Sequence, residues 1–494
     1  MRRTASLATL ALAAALTVHA AAPAPAGDGA VDRLVTALLG DTPMIDDLRQ
    51  LTDEIGGRPT GSAANERAVE WALERFRDAG LAEPFTLPAH WLEERAHARV
   101  TGDGVEVAPR VAAMTFSAPT PPGGLDAPLV DAGRGGDADF ARLGAAARGA
   151  VALVETDPLV DLAGLFASYV EGVRIEERAF AAGVAALAFV GARDRGVLYR
   201  HNASRGPATD RPLFVVEREE GLRLLRLLRA GEALSIHLEI EVESTPGFES
   251  VNVIGEIPGS AEPEEFVVLG AHLDSFDLGT GALDNGANVA MLIDLARQMR
   301  RLELRPRRTI RFALWNAEEI GLHGSWGYTR AHAAELDRHV MAASFDIGTG
   351  RITGFFTGGR PEVAAATARA LAPVAGLGPF TQVDAPIVGT DNFDFMMQGI
   401  GNLVANQESA SYGPNYHAET DTFDKVDQRQ LRLNAAIAAA VAWGFANMEV
   451  DWGRQGRAEI EALIESTDLE RQMRSFSVWE SWERGERGRS PDRR

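Results

Sequence analysis

Three short apolar runs in the second half of the chain are each followed, within three residues, by a histidine or an acidic residue. The runs are Phe266 to Ala271, Thr309 to Trp315 and Val340 to Phe345, and their lengths are typical of buried strands. Helical stretches alternate with them, which predicts an α/β fold with a mostly parallel central sheet flanked by helices. Sites in such sheets lie at the carboxyl ends of the strands. The polar residues that follow the runs are therefore expected to meet at one edge of the sheet.

Seven side chains with metal-binding or acid–base chemistry follow these runs or lie in nearby loops: His272, Asp274, Asp284, Glu318, Glu319, Asp346 and His417. His272 and Asp274 would point to the same side of an extended chain, so the carboxylate could hold the imidazole and select the ring nitrogen that faces a metal. Asp284 lies in a turn before an apolar helix and could reach two cations at once. Glu318 and Glu319 could diverge, one toward a metal and the other toward water.

Mixed histidine and carboxylate ligation suits zinc better than calcium or magnesium, which prefer shells made of oxygen alone. Three carboxylates, from Asp284, Glu319 and Asp346, together with one hydroxide would balance the charge of two divalent cations. The sequence thus predicts two Zn²⁺ per chain. A lone aspartate before a helix is more often an N-cap, and a pair of glutamates is more often a solvated face. The prediction therefore rests on the complete set rather than on any one residue.

Five local sequences resemble those of the zinc aminopeptidase family with two co-catalytic metals, and in particular its carboxypeptidase Q branch: HLDSFD, GALDNGA, WNAEEIGLHGS, SFDIG and NYHAETDT. The resemblance extends from about Leu48 to about Met448. It implies roles for all seven side chains in a two-metal site: His272 and Asp346 hold one zinc, Glu319 and His417 hold the other, Asp284 bridges them, Glu318 is the general base, and Asp274 orients His272.

A site of this kind implies a zinc metallopeptidase that hydrolyses peptide bonds near the N-terminus of peptides, as an aminopeptidase or a dipeptidase. Glu318 would take a proton from a metal-activated water and deliver it to the leaving amine. Tyr412 or Tyr416 could donate a hydrogen bond to the oxyanion. Two alternatives stay open, namely a carboxypeptidase or other amide hydrolase on the same metals, and a catalytically silent binding protein with the same fold. The complete set of ligands together with Glu318 favours an enzyme.

The first 22 residues predict a cleaved secretory signal, because Arg2 and Arg3 precede an apolar stretch that is short for a membrane span. We therefore expect a secreted or periplasmic protein that is not stably inserted in a membrane after cleavage. Cysteine is absent, which excludes disulfides and thiolate chemistry. The formal net charge of -21 argues against nucleic acid as a partner. Peptide substrates are the expected partners, and the sequence leaves the oligomeric state open.

Composition divides the rest of the chain into four segments. The second segment begins at a Pro-rich linker, resembles the smaller α/β protease-associated domain inserted in this family, and carries no catalytic motif, so we expect it to cover or restrict the cleft. The last segment predicts a helix followed by a charged, disordered tail from Arg484 to Arg494. The boundaries are 28–117 for the N-terminal part of the catalytic domain, 118–245 for the insert, 246–455 for the catalytic di-zinc domain, and 456–494 for the C-terminal segment.

Three further features receive no functional assignment from the sequence. His201, in the insert, has no acidic partner in a recognisable motif. Gly56 to Ser62 resembles an N-terminal loop of the family but is a cluster of turn residues. Thr390 to Phe395 resembles a substrate-side loop of the family, yet a helix N-cap followed by a hydrophobic turn explains it equally well.

Overall fold

Thirteen strands of the described residues form one continuous sheet. The computed structural model describes residues 29–159 and 162–491, so the expected signal at residues 1–22 lies outside them. The strands are β1 (Gly80–Gly102), β2 (Val105–Val107), β3 (Val111–Ala113), β4 (Leu125–Asp131), β5 (Val151–Val154), β6 (Ala186–Val190), β7 (Leu213–Val216), β8 (Leu234–Ile257), β9 (Glu262–His272), β10 (Arg308–Trp315), β11 (His339–Ser344), β12 (Ile352–Phe356) and β13 (Asn402–Gln407).

Fifteen α-helices accompany the sheet in the described part of the chain. None of them combines the length and the apolar character that a bilayer-spanning helix requires. The helices are α1 (Ala30–Leu39), α2 (Met44–Arg49), α3 (Ala63–Phe76), α4 (Asp137–Leu143), α5 (Leu162–Ala182), α6 (Arg218–Arg229), α7 (Ala287–Arg301), α8 (His323–Ala331), α9 (Pro361–Ala370), α10 (Asn392–Met397), α11 (Tyr412–Asn415), α12 (Gln428–Asn447), α13 (Arg457–Ser466), α14 (Leu469–Ser475) and α15 (Trp479–Glu483).

One half of the sheet has four parallel strands in the order β13-β11-β9-β10, with antiparallel β12 and β8 on either side. Every residue of β10 and β11 is buried, as expected for parallel strands covered on both faces. Helices α1, α7 and α12 pack together on one face around a continuous apolar core. Helix α12 begins at Gln428 because the Asp427 carboxylate accepts a hydrogen bond from the Gln430 N–H. The predicted α/β class, with helices around a large sheet, is confirmed.

The long strands β1 and β8 form an antiparallel ribbon that joins the two halves of the sheet. The first part of β8 pairs with β4, and its last part pairs with β10. The sequence predicts only Ser250 to Ile257 of this ribbon. Much of the remainder is polar and exposed between these two parts, so it lacks the apolar run that signals a strand.

The second half of the sheet contains parallel strands β4, β5, β6 and β7, with antiparallel β3 at the edge. It has an apolar core of its own, in which Val151, Leu187 and Phe214 are buried. Strand β3 precedes the predicted start of the insert at residue 118 but pairs with β7. The chain on both sides of that boundary therefore contributes to one unit.

The C-terminal segment packs against α10 and nearby loop residues such as Leu322 and Val388 in one apolar cluster. Where one helix is predicted there are three, α13 to α15, and the prediction of a disordered tail is wrong for the residues described up to Pro491. The reason is Arg487, which is buried and donates to both carboxylate oxygens of Asp394 at 2.7 Å. It also donates to the carbonyl oxygens of Gly321 and Leu322 at 3.1 Å. A charged composition alone cannot show that one of its charges has a buried partner.

The replacement Arg487→Met is expected to destabilise the protein by about 3–5 kcal/mol, because it leaves the Asp394 carboxylate buried without its cation. The matched control is Arg484→Met, which removes an ion pair to Glu486 that is exposed at the surface. Urea unfolding of both variants measures the difference. Equal transition midpoints would show that the ion pair of Arg487 contributes nothing to stability.

Candidate metal centre

Three neighbouring parallel strands bring candidate residues to one edge of the sheet. Trp315 lies beside His272 in the register of β10 and β9. Glu318 and Glu319 follow Trp315 by one short turn, and Asp346 follows β11 on the other side of β9. The side chains meet because the carboxyl ends of parallel strands share an edge.

The first group of donor atoms consists of His272, Asp284 and Asp346. The Nε2 atom of His272 lies 3.1 Å from Oδ1 of Asp284 and 3.0 Å from Oδ1 of Asp346. Asn285, the residue after Asp284, donates from Nδ2 to Oδ1 of Asp346 at 3.0 Å and to the Phe345 carbonyl at 2.8 Å. The amide of Asn285 therefore fixes the orientation of the Asp346 carboxylate.

The second group consists of Asp284, Glu319 and His417. The Nε2 atom of His417 lies 3.0 Å from Oε2 of Glu319 and 3.4 Å from Oδ2 of Asp284. Asp284 thus presents one oxygen to each histidine. In each group, one donor atom per residue lies within 4.8 Å of the others, a spacing at which a single ion could contact all three.

Orphaned polar atoms show that cations fit these groups. Oδ2 of Asp284, Oε1 of Glu319 and Nε2 of His417 are buried and make no hydrogen bond among the described residues, because the short contacts of His417 Nε2 lack the required angles. Such an atom costs about 1–3 kcal/mol when it stays unsatisfied. A zinc ion takes nitrogen and carboxylate oxygen donors of this kind. The donor set therefore fits metal ions, and zinc in particular.

The electrostatics of the site also favour the binding of cations. Burial raises the pKa of Glu318 and of Glu319 well above the ordinary value, and Asp346 and Asp284, respectively, raise it further. Burial alone would lower the pKa of His272, but Asp346 and Glu318 raise it well above its usual range. These carboxylates crowd one another, and cations among them would favour their ionised form.

Asp274 holds the site in a different way from the one predicted. The Nδ1 atom of His272 lies 3.0 Å from the main-chain carbonyl oxygen of Asp274, whereas the side-chain Oδ1 lies at 3.6 Å. The carboxylate instead accepts hydrogen bonds from Thr60 Oγ1 at 2.9 Å and from the Glu318 N–H at 3.3 Å. Asp274 therefore orients His272 chiefly through its backbone, while its carboxylate positions the loop that carries Glu318.

The loop from Gly56 to Ser62 is more than a cluster of turn residues. Arg58 is fully buried and donates hydrogen bonds to the carbonyl oxygens of Leu273, Thr280 and Gly281 at 2.5, 2.8 and 2.9 Å. These carbonyls belong to the chain that links β9 to Asp284, so the loop ties that chain in place. Arg58 was missed because its partners are more than 200 positions away in the sequence.

Asp421 supports the residue shared by the two groups. Its carboxylate accepts hydrogen bonds from the N–H groups of Leu283 and Asp284 at 2.6 and 3.1 Å. Burial raises the pKa of Asp421 to about 7. Asp421 lies in the same short sequence as His417, but only the folded chain shows that it holds the backbone at Asp284.

The insert, residues 118–245, contributes directly to the centre. The Arg200 N–H donates to the His417 carbonyl at 3.0 Å, and Nδ1 of His201 lies 3.3 Å from Nδ1 of His417. The Tyr169 hydroxyl lies 3.4 Å from Nδ1 of His201 and 3.0 Å from the Tyr416 hydroxyl. The structural interpretation of His201 is therefore incomplete, and the insert does more than cover the cleft. The role of His201 was missed in the sequence, because an acidic partner was sought there and the partner is another histidine.

A cavity of about 720 Å³ opens beside the two groups. Glu318, Glu319 and Tyr416 line it, together with residues of the insert and Phe476 of the C-terminal segment, whereas Tyr412 does not. Burial raises the pKa of Tyr416 well above its usual range, so the phenol keeps its proton and can donate it in a hydrogen bond.

The sequence left the role of Asp391 open between a substrate-side loop and a helix N-cap. It stands at the N-cap position of α10, but its side chain makes no capping hydrogen bond. It is buried, Oδ1 has no partner among the described residues, and burial raises its pKa well above the ordinary value, with Asp346 among the neighbouring charges that add to the effect. The capping explanation is therefore wrong, and Asp391 belongs to the acidic surroundings of the centre.

Comparison with known proteins agrees with this geometry. The model of peptidase family M28 matches residues 252–442. Carboxypeptidase Q of Rattus norvegicus is 28% identical over 414 residues, which cover 81% of this chain and 84% of the relative. A solved peptidase M28 precursor from Shewanella amazonensis superposes with a TM-score of 0.78 at 27% identity and covers 85% of this chain and 97% of its own.

A second solved structure shares the fold. It is a zinc aminopeptidase from Bacillus subtilis, with a TM-score of 0.66 at 23% identity, covering 83% of this chain and 96% of its own. The family match, the full-length relatives and the donor set agree with one another. Residues 252–442 match peptidase family M28, and the protein is a zinc metallopeptidase.

Proposed function

We propose that the protein is a di-zinc exopeptidase that hydrolyses peptide bonds near the N-terminus of short peptides, as an aminopeptidase or a dipeptidase. The observation that carries this proposal is the pair of donor groups that share Asp284, beside a cavity that Glu319 and His417 line. His272 and Asp346 would hold one zinc, and Glu319 and His417 the other. Zinc in such a site polarises a scissile carbonyl and lowers the pKa of water.

Glu318 is the proposed general base. It belongs to neither donor group, is buried at the cavity wall, and lies directly beside the proposed ligand Glu319. Its carboxylate would accept a proton from the attacking water and deliver it to the nitrogen of the leaving amine. The hydrogen bond from the Glu318 N–H to Asp274 would keep the side chain in place during both transfers.

Tyr416 is a better candidate than Tyr412 for the oxyanion donor. Its ring stacks on His417 with centroids 3.6 Å apart, and it lines the cavity, whereas Tyr412 does not. The hydroxyl of Tyr416 would donate to the carbonyl oxygen of the substrate as negative charge develops there. Its contact with the Tyr169 hydroxyl would hold it in position.

Two features support action at the end of a chain. The cavity of about 720 Å³ is bounded by the insert and by the C-terminal segment, a size that suits a short peptide. The acidic residues of the centre, of which Glu318 and Glu319 line the cavity, would provide anionic surroundings for a free α-amine. The names of the relatives do not choose the end of the substrate, because one is called a carboxypeptidase and another an aminopeptidase.

We further propose that the protein acts outside the cytoplasm, as a secreted or periplasmic enzyme. The basic pair followed by apolar residues at the start of the chain supports this proposal.

The proposed function predicts zinc-dependent cleavage that a free α-amine promotes. Purified protein should contain about two zinc ions per chain, and a chelator should abolish release of amino acids from di- and tripeptides. N-acetylation of the same peptides should lower kcat/KM by about 10- to 100-fold, because the charged hydrogen bond to a buried carboxylate is lost. Metal analysis combined with a peptide panel measures both effects.

The outcomes separate the alternatives. Equal cleavage of free and acetylated peptides would reject the aminopeptidase and dipeptidase assignments and favour a carboxypeptidase or another amide hydrolase. Bound zinc without cleavage of any peptide would favour a binding protein that keeps the fold.

A further inference from the structure

Among the buried arginines of the described residues, Arg193 has neither a carboxylate partner nor a set of carbonyl partners. Eight arginine side chains are buried among the described residues. Six of these lie within 4.0 Å of a carboxylate: Arg200, Arg218, Arg308, Arg311, Arg360 and Arg487. Arg58 has no carboxylate, but backbone carbonyls surround its guanidinium. Arg193 has neither arrangement.

Arg193 makes one hydrogen bond within the part of the chain that the structure describes, from Nη2 to the Tyr416 carbonyl at 3.2 Å. Its Nε is buried without a partner, and its guanidinium carbon lies 4.6 Å from the centre of the Tyr199 ring. Only 4% of the residue is exposed. A buried charge that is neither paired nor fully hydrogen-bonded is costly, and a guanidinium cannot escape that cost by losing its proton at neutral pH.

The position of Arg193 suggests where a partner for its guanidinium would come from. Arg193 lines the same cavity as Glu318 and Glu319, and Tyr416, to which it donates, precedes the proposed ligand His417. The cavity has another arginine in its wall, Arg134, but that side chain is paired with Asp157. Arg193 is thus the unpaired guanidinium among the described residues that line the cavity.

We propose that Arg193 binds a carboxylate group of the substrate while the scissile bond lies at the metal centre. This inference rests on the proposed function and deepens it, since it specifies the charge of the substrate away from the cleaved bond. Guanidinium and carboxylate groups match in geometry and charge, and the bond is strong where water is excluded. The carboxylate can be the C-terminus of a short peptide or the side chain of an acidic residue.

The test compares three substrates with the zinc-loaded full chain: an Ala-Ala dipeptide, its C-terminal amide, and the amide of Ala-Glu. The dipeptide acid should exceed its amide in kcat/KM by about 10- to 100-fold, as expected for a buried, charge-assisted hydrogen bond. A preference for the acid alone assigns the terminal carboxylate, and a gain by the Ala-Glu amide assigns the side-chain carboxylate. Either result supports the role of Arg193.

Variants identify the residue. Arg193→Gln should lower cleavage of the acid to the level of the amide, and Arg193→Lys should restore part of the difference. Arg134→Gln is the matched control and should keep the ratio of the wild type, because its arginine is already paired. An equal loss on acid and amide in Arg193→Gln would mean that Arg193 only holds the Tyr416 backbone, and would overturn the assignment.

The wild-type protein provides a test that does not depend on folding of a variant. Equal cleavage of all three substrates would overturn the role of Arg193 and leave the proposed function standing. Absence of cleavage of all three, and of the larger peptide panel, would overturn the proposed function and this inference with it.

Discussion

Glu318→Gln is expected to lower kcat by about 10²- to 10⁴-fold while the zinc content stays near that of the wild type. Glutamine preserves the size and shape of the side chain but cannot accept a proton. Glu318 lies in neither group of donor atoms, so its neutralisation removes no ligand. Stopped assays of peptide cleavage and metal analysis of the same preparation measure the two quantities together.

The neighbouring residue provides the control. Glu319→Gln changes the same kind of side chain one position along, but Glu319 lies 3.0 Å from His417 Nε2 and belongs to a donor group. We expect this variant to lose zinc as well as turnover. If the Glu318→Gln variant kept its turnover, Glu318 would not be the base, whatever the zinc content of the variant.

Asp284→Asn is expected to weaken both metal sites, because Asp284 is the residue that the two donor groups share. Affinity should fall by at least about 100-fold at each site, beyond the 10- to 100-fold loss typical of a residue that only orients a ligand. Activity should disappear with the metals. Zinc retained after dialysis against chelators of increasing strength measures the loss.

The variant His417→Ala tests whether Asp284 is shared by the two metal sites. His417 belongs to one group only, so this variant should lose about one zinc and keep the other. Loss of both metals in Asp284→Asn together with one in His417→Ala would match the geometry. Unchanged zinc stoichiometry in His417→Ala would reject its role as a ligand.

The strands around the centre could be predicted because their chemistry is local. Thr309 to Trp315 is a short apolar run bounded by charged and polar residues, and a run of that kind is buried on both faces of a parallel sheet. Once His272, Glu319 and Asp346 are placed at the ends of such strands, parallel pairing brings them together. That grouping needs no knowledge of side-chain packing.

Other residues could not be predicted because their partners are distant in the sequence. The guanidinium of Arg58 donates to backbone carbonyls that follow β9. Every residue has such a carbonyl, so the sequence does not indicate which ones bind an arginine. His201 meets His417 across 216 positions. Arg487 lies in a charged tail that is typical of disorder, yet it is buried against Asp394. In each case the composition is polar, and only burial gives the group its role.

The sequence by itself therefore determined the α/β class, the order along the chain of the strands that end in candidate ligands, and the kinds of donor available. These depend on local periodicity and on the intrinsic chemistry of side chains. Only the tertiary structure decided how Asp274 acts, that the insert reaches the His417 loop, and that Arg193 lies buried without an anion. These depend on which polar groups lose contact with water, because a hydrogen bond or a charge gains its large effect where solvent is excluded.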